Sequence, residues 1–452
     1  MRIGKGADFI AALTVSSSLL VAAAYGQSTT TLFGRIFDPA GAVVPGATIV
    51  MSNRATGEER RTQSDPQGNY QIAALPAGTY RIEVNAAGFQ PNFVESVTIE
   101  VGRTVVQNFR VRLDNASEHV TVTANGLMIE RATSSVGQAI GQRTVQEIPL
   151  NGWYFLDLSL LVPGSVTPSP NGFSTTPSRG LGALAINTAG NREETVNYLI
   201  NGITLNNYAF NSISFQPTIN TVQEFRVDNS TLSAEFGQNS GATVNIVTRS
   251  GTSEFHGELF EFLRNDMFDA RNFFNFASSE PPPFKRNQFG GNFGGPINRN
   301  KALFFVSYEA LRQRQGLDLN SLVLSESQRA TVTNPVVAKL VQFIPRANFV
   351  DSSGTSRFSG SATAPVNVSQ PTIDISHNPT SSDRVHGYYA LQRAEIIEAT
   401  RNGNTIPGFG HYFESRRQVF RLNETHVFGP ALVNEVRFGV NRSRGGNTRI
   451  RD

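Results

Sequence analysis

The C-terminal half of the chain is written in a two-residue rhythm. From Glu435 to Asn441, Val436, Phe438 and Val440 fall on one side of an extended backbone, with Glu435, Arg437, Gly439 and Asn441 on the other. Arg384 to Arg393 repeats the pattern, setting Val385, Gly387, Tyr389 and Leu391 against Arg384, His386 and Gln392. Phe304, Val306, Tyr308 and Ala310 alternate less cleanly with Phe305, Ser307 and Glu309, and around Phe260-Glu261-Phe262 the faces stay open. The rhythm predicts seven strands, near residues 255–263, 287–297, 301–311, 371–377, 383–393, 416–427 and 432–443. Their joints alternate: 298–300, 378–382 and 429–430 are short, while 264–286, 312–370 and 394–415 are long. Tight turns at one end and extended loops at the other are the habit of a barrel wall that crosses a membrane, not of a soluble sandwich. Single-chain bacterial barrels use even strand counts, and plugged ones about 22. The chain is therefore expected to be the truncated front of a longer wall.

Residues 30–113 alternate short β-rich runs with turn signals. Thr31 to Phe37 ends at Asp38-Pro39-Ala40-Gly41, and Ala47 to Met51 follows Pro45-Gly46. Asp65-Pro66-Gln67-Gly68 turns into Asn69 to Ile72, and Leu75-Pro76-Ala77-Gly78 into Thr79 to Val84. Tyr80, Ile82 and Val84 share one face, Arg81 and Glu83 the other. With Val97 to Val101 and Val105 to Leu113, six or seven strands predict a two-sheet sandwich, with Tyr70, Tyr80 and Phe89 in its core.

Past a polar joint at Asp114 to Ser117, the segment Glu118-His119-Val120-Thr121-Val122-Thr123-Ala124 is β-branched and has no obvious partner nearby. It can be the last strand of the sandwich, an interdomain strand, or a segment that adds itself to the edge of another protein's sheet. Pro149 and Asn151 mark the start of a helix with Phe155, Leu158 and Leu161/Val162 on one face, stopped by Pro163-Gly164. Residues 163–190 read as loop. Val196 to Ile200 then turns through Asn201-Gly202 into Ile203 to Leu205, a hairpin signal. Thr221 to Val227, a helical turn at Ser233 to Gln238, a glycine loop and a strand through Thr243 to Thr248 follow.

Composition narrows the setting. Arg2 and Lys5 precede an apolar stretch, Phe9 to Ala24, shorter than the roughly 20 residues of a spanning helix. Small residues at Ala22 to Gly26 predict a signal peptide over 1–26, cleaved near Gly26/Gln27. The chain has no cysteine, which excludes a lipoprotein, disulfides and thiolate metal sites. Mean hydropathy is −0.22, and no later run is long enough for a spanning helix, so strands are the remaining way through a bilayer. A formal charge of +3 does not mark a nucleic-acid binder: only four of the 39 basic residues are lysine, and the arginines are spread among matching acids.

Catalytic motifs are missing. There is no H-E-x-x-H. His256-Gly257-Glu258 resembles half of a deaminase signature but lacks the cysteines. Gly290 to Gly295 has no Lys-Ser/Thr partner, no G-x-S-x-G occurs, and the six histidines do not cluster. The expectation is no enzyme, no catalytic residue, no cofactor and no metal.

The sandwich motifs (Gly34 to Asp38, Pro45-Gly46-Ala47, Thr62 to Tyr70, Leu75 to Tyr80, Ala87-Gly88-Phe89) resemble the carboxypeptidase regulatory-like domain. That is a non-catalytic, transthyretin/Ig-like fold, sometimes linked to carbohydrate binding. Thr221 to Val227, Ser233 to Gln238 and Gly241 to Thr252 closely resemble the end of the plug of TonB-dependent outer-membrane receptors. Phe255 to Asp266, Asn287 to Gly291 and Leu303 to Glu309 extend the likeness to the Oar-like branch, in which such a sandwich precedes the plug. Asn201 stands where Asp is commoner and Phe236 where Tyr is usual, which puts ligand transfer in doubt. The resemblance implies a mainly β chain in four parts: signal peptide 1–26, sandwich 30–113, linker and α+β plug 114–250, and a partial antiparallel transmembrane barrel 251–452. It further implies energy-coupled uptake of an extracellular ligand of unknown identity, an oligosaccharide or peptide among the options. Glu118, Val120, Thr121, Val122 and Thr123 become the candidate TonB box that a coupling protein grips, with outer-membrane lipid around the wall. Two alternatives are a structural or adhesive surface protein and a secreted carbohydrate-binding protein.

Overall fold

The computed structural model describes residues 30–113, 121–122, 135–148, 150, 155–166, 186–208, 211–230, 239–270, 283–299, 301–400, 406, 410–429 and 432–449. The expected signal peptide, the helix start at Pro149 and Asn151, and the turn at Ser233 to Gln238 lie outside them. Among the described residues, no helix is long and apolar enough to cross a membrane.

The sandwich comprises β1 (Thr30–Phe37), β2 (Thr48–Asn53), β3 (Glu59–Gln63), β4 (Asn69–Leu75), β5 (Gly78–Asn85), β6 (Asn92–Ile99), β7 (Val105–Val106), β8 (Phe109–Arg110) and β9 (Thr121–Val122). One sheet runs β3-β2-β5-β6-β9; in the other, β4, β7 and β8 gather on β1. Ile49, Met51, Tyr80, Ile82 and Val84 from the first sheet meet Leu32, Ile36, Tyr70 and Ile72 from the second. Tyr70 and Tyr80 are buried as expected, and Phe89 packs against the same cluster. Their hydroxyls donate to the carbonyls of Gln107 and Pro76, and burial pushes both phenols up from their ordinary range. These rings are core and leave no stacking platform. Val105 to Leu113, expected as one strand, is split into β7 and β8, both parallel to β1.

The plug holds β10 (Val136–Gly141), α1 (Gln142–Glu147), a 3-10 turn over Phe155–Leu161, β11 (Ser165–Val166), β12 (Asn187–Thr188), β13 (Asn197–Ile200), β14 (Ile203–Thr204), β15 (Asn206–Asn207), β16 (Ser212–Ile213), β17 (Val222–Ser230) and β18 (Thr243–Thr248). Its sheet runs β10-β17-β18-β13-β14. Asn201 and Gly202 both take positive φ, 48° and 79°, the twist that lets two residues join β13 to β14. The predicted helix is a 3-10 segment in which Phe155, Leu156 and Leu158 are buried, whereas Leu161 faces out and Val162 packs inward. Residues 163–190, expected as loop, contain the small β11–β12 pair. The core joins Ile140, Phe155, Tyr198, Phe225 and Ile246 and reaches into the wall at Tyr388, Ala390 and Val419.

The wall comprises β19 (His256–Asn265), β20 (Phe284–Asn298), β21 (Ala302–Leu322), β22 (Phe349–Val350), β23 (Ser356–His377), β24 (Asp383–Glu398), β25 (His411–Gly429) and β26 (Leu432–Arg449). Seven long antiparallel strands pair in the order β19-β20-β21-β23-β24-β25-β26, with β22 a short addition to β23. The expected loop 312–370 is corrected. β21 and β23 stay paired out to Leu322 and Arg357, so the connection is 323–355 and carries α2 (Glu326–Ala330) and α3 (Pro335–Val341). The extension was hidden because Arg312 to Gln315 is polar on both faces and carries no period of two.

Register turns this wall inside out. One outer row, strand by strand, reads Phe293, Val306, Ile373, Tyr389, Phe420, Val440, and the next reads Gly295, Phe304, Ile375, Gly387, Leu422, Phe438. The inner row between them holds Phe305, Asp374, Tyr388, Arg421 and Gly439, and its neighbour holds Asn292, Ser307, Thr372, Ala390, Val419 and Asn441. Ile373, Leu422 and Phe438 stay 40%, 44% and 59% exposed, while Asp374 and Arg421 are buried. Apolar outside and polar inside is favourable only where hydrocarbon lies outside. Phe260 and Phe262 pair with Gly290 and Gln288, on the inner side.

Candidate functional site

Besides the apolar core that it shares with the wall, the plug is held in the wall's concavity by polar contacts. Glu309, buried on β21, accepts from Gln288 at 2.6 Å and from Asn220 of the plug at 3.1 Å. Arg249, leaving β18, donates to the Asn220 carbonyl and lies 5.2 Å over the Phe305 ring; burial lowers its pKa. On the far side Gly439 of β26 lets the β13–β14 hairpin approach. A Cβ there would sit 2.3 Å from Cδ1 of Ile203.

Sandwich and short turns share one end of the wall. Arg384 at the start of β24 pairs with Glu58 at 2.8 Å, and Glu58 also accepts from Arg60 at 3.0 Å. Ser253 donates through both N–H and hydroxyl to the Ala55 carbonyl. The Val101 N–H donates to Glu224 of β17, whose carboxyl is pushed up to about 7 by burial.

The opposite end, where the long connections lie, opens into a cavity of about 640 Å³. The plug contributes Asn206, Asn207, Tyr208 and Ser214, next to the apolar Ile203 and Ile213. β25 contributes Phe413, Ser415 and Arg417; β26 contributes Gly439, Asn441 and Ser443. Asn206 is fixed within the plug, accepting from the Tyr198 N–H and donating to the Val196 carbonyl. Asn441 ties wall to plug, donating to Ser214 Oγ at 2.6 Å and the Thr204 carbonyl at 3.2 Å. Sequence reasoning named none of these as ligand-facing. Asn441 and Gly439 were placed on one face, but which face looked inward depended on register.

Of the candidate coupling segment, Thr121 and Val122 form β9, parallel to Phe93–Val94 on the edge of the sandwich. Glu118, Val120 and Thr123 lie outside the described residues. Asp383, Glu424 and His426 converge on the outer face near the short turns, with ligand atoms within 4.8 Å of one another. They could hold a cation, although His426 Nδ1 already meets Asp383 Oδ1 at 2.5 Å.

Comparison with known proteins agrees with the sequence motifs. Residues 247–451 match the outer membrane beta barrel domain, and residues 31–113 the carboxypeptidase regulatory-like domain. Over 386 residues the chain is 24% identical to the TonB-dependent transporter Oar of Myxococcus xanthus, covering 82% of this chain and 35% of that one. Among solved structures it is similar to the outer membrane transporter YddB from Escherichia coli (12% identity, TM-score 0.44, 67% of this chain and 38% of that one). It is also similar to the ferric enterobactin receptor PfeA from Pseudomonas aeruginosa (14% identity, TM-score 0.44, 69% and 41%). The chain thus spans about a third of the length of its transporter relative. It is an outer-membrane chain, with a carboxypeptidase regulatory-like sandwich ahead of a β-barrel wall and a likeness to the Oar-like TonB-dependent receptors.

Proposed function

We propose that the chain supplies the sandwich, plug and leading wall of a receptor for energy-coupled uptake. An extracellular ligand binds at the loop end, and a TonB-type protein pulls from the sandwich end on the segment around Glu118, Val120, Thr121, Val122 and Thr123. The observation that carries this reading is the plug: an α+β unit seated against the polar inner face of a lipid-facing wall, with the cavity on the side away from the sandwich. Such a seal serves passage; a wall that only displayed loops would gain nothing from it. The named activity of the Myxococcus relative points the same way. The β9 pairing adds one feature: a pull must first peel Thr121–Val122 from β6, or the coupling protein must extend the same sheet.

The test is binding of a purified periplasmic domain of a TonB-type protein to the intact chain and to a variant lacking residues 118–124. Binding that disappears on deletion, with the fold retained, supports coupling through this segment. Unchanged binding removes the assignment, and no binding by either form favours adhesive display.

A further inference from the structure

We infer that the cavity accepts an acidic saccharide whose carboxylate is held by Arg417. This rests on the receptor reading above and gives it a ligand class. Arg417 is only 6% exposed, yet it lines the cavity. Its Nη1 donates to Gln392 Oε1 at 3.2 Å, and its Nε has no partner among the described residues. Among the described residues, no acidic side chain lines the cavity and no ion pair reaches this guanidinium. Arginine keeps its charge when buried, and an unpaired buried charge is costly, so the arrangement asks for an anion from outside. A planar fork with a free Nε–H suits a carboxylate in particular.

Two further polar atoms on the same wall lack partners among the described residues, Ser415 Oγ and Asn441 Oδ1. The Asn441 amide is oriented by its two donations to the plug, which leaves Oδ1 as an acceptor open to a ligand donor. One anion site beside a hydroxyl and a carbonyl acceptor is the complement of a compact frame carrying both carboxylate and hydroxyl groups. Tyr208, 70% exposed on the plug side, adds a ring face for the apolar side of a sugar. A peptide that binds by strand addition is recognised through main-chain bonds to an open strand edge. β25 and β26 present inward-pointing side chains here, which favours the saccharide.

Isothermal titration of the full chain, folded in detergent, decides the matter with three probes: α-1,4-linked trigalacturonate, its methyl ester, and triglutamate. Trigalacturonate should bind, with the ester roughly tenfold weaker or worse. Arg417→Gln should weaken the acid by about ten- to hundredfold and leave the ester unchanged, and Arg417→Lys should restore part of the loss. If Arg417→Gln does not fold, Ser443→Asp takes its place: it stands opposite Arg417 on β26, and its carboxylate should occupy the guanidinium and weaken the acid alone. Equal binding of acid and ester, indifference to both substitutions, preference for triglutamate, or no binding of any probe would overturn the inference. Should the saccharide fail while the coupling domain still binds through residues 118–124, the receptor reading stands and only the ligand class falls.

Discussion

Replacing Ile373 with arginine distinguishes a lipid-facing wall from a water-facing sheet by a large difference in effect. Ile373 sits in the middle of an outer row, between Val306 and Tyr389, and is 40% exposed. In water the exposed part of the side chain gains nothing on folding, and a surface substitution there should change stability by no more than about 0.5 kcal/mol. In a bilayer the same part lies in hydrocarbon. Removing roughly 70 Å² of apolar contact forfeits about 2 kcal/mol, and arginine near mid-depth adds about 2–4 kcal/mol. The expected loss is therefore about 4 kcal/mol or more. Ser359→Arg, exposed on the extension of the same strand past the apolar rows, serves as the control and should be silent. The measurement is urea unfolding of the chain reconstituted in phospholipid vesicles, followed by circular dichroism. If Ile373→Arg unfolds at the parent's urea concentration, or if residues 255–452 stay monomeric in buffer without detergent, the outer face is not lipid-facing and the secreted alternative returns.

Three other outcomes follow from the contacts. Gly439→Leu should push Ile203 and the β13–β14 hairpin out of place at a cost of about 1–3 kcal/mol, lowering the thermal transition, and Ile203→Ala should recover it. Glu224 has its pKa raised from 4.5 to about 7 by burial, so the docked state favours the protonated acid. Its contribution is complete below about pH 4.5 and is lost as pH rises through 7, a difference on the order of 3 kcal/mol; denaturation at pH 5 and pH 8 should show it, and Glu224→Gln should abolish it. Glu58→Gln leaves Arg384 and Arg60 without their shared carboxylate, with side chains only 9–13% exposed, and should weaken sandwich docking by about 3 kcal/mol. Faster proteolysis between residues 113 and 135 would report it, and an unchanged digestion rate would show that the ion pair does not hold the docking.

The architecture was legible wherever one physical rule acted on a long enough stretch. Seven wall strands followed from period-two alternation and from joints of alternating length. The Asn201-Gly202 hairpin followed from the only pair of residues there that takes positive φ twice without strain. The sandwich core followed from Tyr80, Ile82 and Val84 sharing a face. Elements without such a rule were missed. β10 and α1 are held by tertiary partners, β17 above all, and have little local signal. The β21–β23 extension is polar on both faces because it projects beyond the apolar rows, so alternation could not mark it.

The cavity was illegible for a sharper reason, visible in the dipeptide Arg416-Arg417. Composition, charge and local pattern treat the two residues alike. Pairing does not: Arg416 stands opposite Arg393 and Arg444 on the exposed outer face, whereas Arg417 stands opposite Gln392 and Ser443 and is buried against the cavity. A one-residue slip of β25 would exchange them, placing a solvated arginine in the lumen and the cavity's charge at the membrane boundary. What fixes the choice is not near either arginine. Phe420 and Leu422 must face lipid and Val419 must meet the plug core, so apolar residues two to six positions away decide which arginine a ligand can meet. The site is thus a by-product of the wall's outward face. Substitutions in the outer rows that shift register should alter ligand binding without touching a single residue of the cavity.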